Sequence, residues 1–290
     1  MPYLAQALES VLSQDPAPDD VVVVDHASEP SLRPVAGGRL VRVDDAGGGP
    51  AAARAAGLAE LDTELVALAD ADDVWEPGKL RAQLEALRSN PAAAVCFGRA
   101  VVIDADGRET GEQLPELRPG FQGAADLGPE LYERNLVPAA SAVIRREALD
   151  AAGGFMPESP FPAASDWDLW LRLIEAGYDF VCEPQARIRY RRHLGGLTAD
   201  ITRLAEAGLL IHERHTALVD EATANRARAN DLETLARGRI RQRRYEGART
   251  ALDQAAALRP PATRERILRT AVTIPGIRGL LGRRDPYRPG

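Results

Sequence analysis

Four consecutive valines at residues 21–24, followed at once by Asp25 and His26, constrain the fold more than any other stretch of this chain. Unbroken β-branched residues favour a strand, and a strand that is apolar at every position has to be covered on both faces. Such strands belong to parallel sheets with helices above and below, and the flanking sequence supplies the helices. Residues 3–13 place Leu4, Ala7, Leu8 and Val11 at helical spacing before "PAPDD" ends the run. "RLVRV" (39–43) and "ELVALAD" (64–70) read as further strands. "GGGPAAARAAGLAEL" (47–61) is a Gly-rich turn, including Gly47, feeding a helix with Pro50 in its first turn, and "EPGKLRAQLEALRSNP" (76–91) is a second helix. "AAVCFGRAVVID" (93–104) is a longer strand that turns back at "DADG" (104–107).

This alternation predicts an α/β fold, a mainly parallel sheet with helices on both faces. In such sheets ligands bind beyond the carboxyl ends of the strands. Asp25, His26, Asp70, Asp72 and Asp73 all fall at strand ends of that kind. Further on, residues 108–135 read as a long Gly- and Pro-rich loop. "AASAVIRREALDAAGGF" (139–155) reads as a strand, a short helix and a Gly pair, and "SDWDLWLRLIEAGYDF" (165–180) as an amphipathic helix. "DFVCEP" and "ARIRYRRH" read as two short strands that close a body of residues 1–200. Residues 201–290 form a helical, Arg-rich extension interrupted at "LRPPATRE".

Charge divides along the same line. Residues 201–290 carry 18 Arg against 10 Asp and Glu, a charge of +8, whereas residues 1–200 carry 18 Lys and Arg against 33 Asp and Glu, or −15. An acidic body argues against nucleic acid as partner, and the basic tail suits an anionic membrane face. No apolar run approaches the ~20 residues that cross a bilayer, and the N-terminus has no basic leader, which predicts a cytoplasmic protein. Cys96 and Cys182 lie in apolar runs and read as buried thiols.

The chemistry concentrates in "LVALADADDVW" (65–75), where an apolar strand runs into Asp70, Asp72 and Asp73. Crowded carboxylates repel one another and raise each other's pKa, so something positive belongs beside them. Oxygen ligands in small number suit Mg²⁺ or Mn²⁺, whose shell substrate phosphates and water then complete. The alternative is that Asp72 or Asp73 caps the following helix. "SDWDLWLRL" also has two readings. Ser165 and Asp168 sit at N-cap and capping-box spacing, while Asp166, held on the first turn of a rigid helix, is placed to act as a general base.

Together, "VVVVDHAS", "GGGPAAARAAGL", "LVALADADDVWEPGKL", "GGF", "SDWDLWLRLIEAG" and "YRRHLGGLT" resemble family 2 glycosyltransferases of the GT-A fold in order and spacing, over residues 3–200. The resemblance implies an inverting enzyme that moves a sugar from a nucleotide-diphosphate sugar to a glycan or lipid-linked acceptor, in cell-wall or polysaccharide biosynthesis. It implies that Asp70 and Asp72 form the DxD motif, that Asp70, Asp72 and His193 surround the cation, and that Asp25, His26 and Arg54 join Asp70 and His193 in holding the donor. Asp166 becomes the general base. The chain also departs from the family pattern. Family members usually open with an apolar strand, central in the sheet beside the strand that carries Asp70, whereas this sequence begins at the helix that follows it. His26 stands where an Asp is usual, Ser165 where a Glu is usual, and Ala55 where an Asn is common. A catalytically degenerate relative serving as a binding or assembly module is the alternative reading, and a nucleotidyltransferase of similar topology is a weaker one.

Overall fold

The computed structural model describes residues 3–34, 36–43, 48–114, 118–158, 160–161, 163–261 and 263–274. The turn residue Gly47 and residues 275–290 of the expected extension lie outside these. The chain divides into two compact units, Met1–Arg192 and His193–Gly290.

The first unit begins with α1 (Leu4–Leu12), β1 (Val22–His26), β2 (Arg39–Val43), α2 (Gly49–Ala59), β3 (Leu65–Ala67), β4 (Val74–Trp75) and α3 (Lys79–Ser89). It continues through β5 (Ala93–Ile103), β6 (Glu109–Leu114), β7 (Gly120–Gln122), α4 (Ala124–Glu133), β8 (Val143–Arg145), α5 (Arg146–Ala151), α6 (Ser165–Glu175) and β9 (Asp179–Arg191). The element order is the expected one, but the sheet is mixed rather than mainly parallel. β1 and β2 pair in parallel as a two-stranded sheet of their own, and the larger sheet runs β3-β8-β5-β9-β4, with β6 on β5 and β7 on β9. Within it only β5 and β9 pair in parallel, because β3, β4, β6, β7 and β8 each meet their neighbours antiparallel.

Two further expectations change. The segment 108–135 is no loop, since β6, β7 and α4 occupy most of it. "ETGEQL" is polar and almost wholly exposed, so its strand state comes from main-chain pairing to β5 and not from any apolar pattern. "DFVCEP" and "ARIRYRRH" are one strand. β9 pairs with Ala93–Phe97 through its first half and with Arg99–Ile103 through its second, and a register shift between Phe97 and Arg99 absorbs the residues around Pro184.

The valine run predicts burial on both faces, yet Val21–Val24 are half-buried. The reason is a cavity of about 330 Å³ between β1 and β3, on one side of the strand that leads to Asp70. Val22, Val24, Val66 and Leu68 line it from the two strand edges, with Ala7 of α1 and Gly57 of α2 closing its faces. Elsewhere the core is dense, built on Trp75, Leu80, Leu87, Cys96, Val143 and Ile188. Cys96 and Cys182 are both buried and free, as expected.

The second unit contains α7 (Ile201–Arg214), α8 (Glu221–Arg241), α9 (Tyr245–Leu258) and α10 (Thr263–Ala271). Asp200 caps α7 by accepting from the Thr202 and Arg203 amides, and Asp220 caps α8 through the Thr223 amide. Ala229, Ala236, Ala248 and Ala251 let α8 and α9 approach closely around Leu232, Leu235 and Leu252.

Candidate active site

The site forms where β1, β3 and α6 deliver their charged residues. After β3 the chain makes a tight turn in which the Asp73 amide donates to the Asp70 carbonyl at 3.3 Å. The three carboxylates of this turn meet different surroundings. Asp70 is half-buried, and its Oδ1 accepts from Arg54 of α2 at 2.8 Å. Asp73 is buried, with Oδ1 accepting from the Arg191 main-chain amide at 2.9 Å and Oδ2 without a partner among the described residues. Burial, then the charge of Asp70, pushes its carboxyl well above the usual range, and the Arg191 amide opposes this. Asp72 is half-buried and offers its carbonyl to Arg191 Nε at 2.9 Å.

Part of the positive charge that the cluster calls for thus comes from the chain itself. Arg54 lies 5.4 Å from the ring centre of Phe155. Burial works against its charge, but Asp70 first, and then Asp166 and Asp73, hold the guanidinium protonated. Arg191 ends β9 almost fully buried. It reaches Asp72, the carbonyls of Asp104 and Ala105 and the Gln6 side chain, and it stacks 4.4 Å from the Tyr3 ring centre. One side chain therefore ties the acidic turn to the β5–β6 hairpin and to the start of α1.

Asp166 stands on the first turn of α6 with Oδ2 accepting from Asn135 Nδ2 at 3.0 Å. Burial raises its pKa, while Arg54 and the Asn135 bond pull it down. The expected capping role of its neighbours is not what the structure shows. Ala164 holds the N-cap position, no side chain caps the helix, and Asp168 instead pairs with Arg172 at 2.9 Å. The helix is anchored by indole N–H groups, Trp167 to the Leu131 carbonyl at 2.6 Å and Trp170 to the Val137 carbonyl at 3.1 Å. Asp166 thereby projects from a rigid support.

At the end of β1, Asp25 is almost fully buried and directed inward. It accepts from the Ser28 and Leu32 amides and pairs with Arg42 at 2.8 Å. The Ser28 side chain, those amides and Arg42 hold its carboxyl at about 2 against the cost of burial. His26 lines the same cavity as Arg54 and Asp70, and its buried Nε2 has no hydrogen-bond partner among the described residues. His193 opens the second unit, where its Nδ1 accepts from the Gly195 amide at 3.2 Å.

The structure therefore gathers Asp70, Arg54, Asp166 and His26, keeps Asp72 on the same turn, and sets Asp25 back as the organiser of its loop. Sequence reasoning passed over Arg191, Asn135 and Phe155. "YRRH" and "GGF" carried two of them in plain view, but nothing local marks which arginine turns inward. Among the described residues, no group of three or more His, Cys, Asp or Glu side chains forms a ready metal cage. Asp70 and Asp72 nonetheless suit a hard cation that completes its shell with water and phosphate oxygens.

An uncharacterized glycosyltransferase of Nostoc sp. (strain PCC 7120) is 34% identical over 180 residues, which cover 58% of this chain and 52% of that protein. The pre-mycofactocin glycosyltransferase of Mycobacterium tuberculosis is 33% identical over 148 residues, 49% of this chain and 30% of that one. The chain thus spans about half the length of one of these curated relatives and less of the other. Among solved structures, S. aureus TarS 1–349 with UDP-GlcNAc superposes at a TM-score of 0.61 with 17% identity, covering 97% of this chain and 82% of that one. The mannosyltransferase PcManGT from Pyrobaculum calidifontis, with GDP-Man and Mn²⁺, gives 0.55 at 19% identity over 99% and 78%. These likenesses show the GT-A fold. The profile of glycosyl transferase family 2 matches residues 1–153, more than half of the sequence, and the chain belongs to that family.

Proposed function

We propose that the chain is an inverting, metal-assisted glycosyltransferase that moves a sugar from a nucleoside diphosphate sugar to a hydroxyl of a glycan or lipid-linked acceptor. The observation that carries this reading is Arg54, which pairs with Asp70 at the strand end and feels the charge of Asp166 on α6. One fixed cation thus links the carboxylate assigned to the donor with the one assigned to the acceptor.

In the reaction, the acceptor oxygen bonds to the anomeric carbon as the bond from that carbon to the diphosphate breaks. The electron pair leaves with the nucleoside diphosphate, and the acceptor proton passes to the Asp166 carboxylate. Burial makes Asp166 a stronger base, and Arg54 favours its ionised form. A bound Mn²⁺ or Mg²⁺ would supply charge to the departing diphosphate. Asp70 and Asp72 would hold it, with His193 assigned to the cation and diphosphate from its motif alone. His26 has an unpartnered ring nitrogen to offer the nucleoside, and Asp25 shapes the loop that follows it. UDP-GlcNAc in TarS and GDP-Man with Mn²⁺ in PcManGT support a donor of this class. Among the described residues no helix is long and apolar enough to cross a membrane. We place the protein in the cytoplasm, where its basic C-terminal region contacts the anionic face of the membrane, in polysaccharide or cell-wall synthesis.

The test is a thermal-shift panel of UDP, GDP, dTDP and CDP with Mn²⁺, run on the chain and on Asp72→Ala. A ligand at one hundred times its Kd adds about 2.7 kcal/mol, so one nucleotide should raise the melting midpoint by several degrees and lose that effect in the variant. One observation favours a second reading, a non-catalytic binding module of the same fold. The cavity between β1 and β3 lies directly beside His26 and Asp70, where the donor would dock. A cooperatively folded chain that responds to no nucleotide would select that reading.

A further inference from the structure

The turn between α8 and α9 holds two arginines in positions that suit other residues. α8 ends in a Schellman motif, with the Arg243 amide on the Ile240 carbonyl at 2.9 Å and the Arg244 amide on the Arg239 carbonyl at 2.8 Å. Such a motif needs a left-handed residue after the helix, for which glycine or asparagine is suited. Here it is Arg243, at φ 59°. Arg244 occupies the N-cap of α9, where Ser, Asp or Asn would cap the helix, and no side chain does so. Both arginines are exposed, and among the described residues neither side chain has a hydrogen bond or ion pair. Local stability therefore explains neither of them.

With Arg239, Tyr245, Glu246 and Gly247 they line an open cleft of about 680 Å³. Arg239 is fixed there by its bond to the Gly247 carbonyl at 3.1 Å. Glu246 is the single acid of the lining, against three guanidinium groups, whose planar forks match phosphate oxygens. α10 runs back along α9. Arg259 meets Glu265 at 3.2 Å and Arg269 meets Asp253 at 2.9 Å, so α10 points back toward the N-terminal end of α9. α10 exposes Ile267 at 62%, and Ile274 just after it is exposed at 40%. Exposed arginines and exposed isoleucines in one helical unit are the composition of a lipid-facing surface. Charge continues the pattern in the sequence, since residues 266–284 contain five Arg and no Asp or Glu.

We infer that this end of the second unit is a docking face for an anionic lipid bilayer, whose headgroup phosphates enter the cleft between Arg239, Arg243 and Arg244. The inference deepens the membrane contact proposed above by naming the surface that makes it, and it is independent of the donor site. The test uses the full chain in co-sedimentation with vesicles of pure phosphatidylcholine and of equal parts phosphatidylcholine and phosphatidylglycerol. The wild type is expected to bind only the anionic vesicles. The double variant Arg243→Gly/Arg244→Ser is expected to bind them about 30-fold more weakly while its melting midpoint holds or rises, because it gains a left-handed glycine and a helix cap. Arg243→Gly alone is expected to give about a fivefold loss, and it decides the matter if the double variant does not fold.

Equal binding by variant and wild type, or no binding by the wild type, overturns the inference. Inorganic phosphate is the third probe. If it raises the midpoint of the wild type but not of the variant, and the vesicles stay unbound, the cleft takes free phosphate and the lipid assignment fails. No arm contains a nucleotide, so failure here leaves the transferase reading untouched.

Discussion

At the residue scale, two ionisable groups carry distinct consequences. Asp166 is assigned the acceptor proton because it stands on a helix pinned by two tryptophans and within the field of Arg54. Asp166→Asn keeps the shape and removes the base. Turnover should fall by about 10²–10⁴ while nucleotide still shifts the melting midpoint, since the donor residues are elsewhere. A loss of nucleotide response instead would place Asp166 in donor binding. Lys79, the only lysine in the chain, is fully buried, donates to Gln83 at 2.7 Å and lies 3.9 Å from the Trp75 ring centre. Burial pushes its amine down to about 7. Below that pH the amine is protonated in both folded and unfolded chains. Above it the folded chain has released a proton that the unfolded chain keeps, so stability rises with pH. The rise should be readable up to the unfolded thiol pKa of 9.0, above which buried Cys96 and Cys182, pushed up to about 12 and 11, oppose it. Unfolding free energies from urea titrations between about pH 7 and 9 should climb by up to ~1.4 kcal/mol per pH unit in the wild type, and much less in Lys79→Met. An identical climb in both would assign the linkage to another group.

At the scale of elements, the junction of β5 and β9 holds the first unit together. Where β9 bulges, its main chain comes so close that a Cβ on Gly98 would stand 1.6 Å from the Ala186 carbonyl oxygen. Gly98→Ala should therefore cost ~3 kcal/mol or more, read as a lowered urea midpoint, and an unchanged midpoint would mean that the bulge can give way. Helices and apolar strands are legible in the sequence because their side-chain periods are local. α2, α3 and α6 begin within a few residues of where the pattern starts them. "ETGEQL" is not legible in that way, because a polar edge strand owes its conformation to the partner strand and not to its own side chains. α4 is hidden by Gly128 and Pro129, which its packing on α6 tolerates. The bulge in β9 is hidden too, since Pro184 reads locally as a break.

At the scale of the whole molecule, a net charge of −7 conceals a body at −15 and a tail at +8. If the tail docks on anionic lipid, the attraction is screened as the Debye length falls from ~10 Å at 0.1 M salt to ~3 Å at 1 M. Vesicle binding should therefore drop steeply over that range, and binding indifferent to salt would assign it to Ile267 and Ile274 alone. The sequence by itself determined the succession of strands and helices, the gathering of carboxylates at strand ends and the family, all of which follow from local periodicity and short motifs. It located Asp70, Asp72, Asp166 and His26 as residues of interest without saying what each would face. Only the tertiary structure decided that the sheet is mixed, that Arg54 pairs with Asp70, that Arg191 braces the turn from the far end of β9, and that Asp25 is directed into its own loop. Strand partners and charge partners come from distant parts of the chain. A carboxylate's pKa and role depend on burial and on distances of a few ångströms that no local pattern encodes.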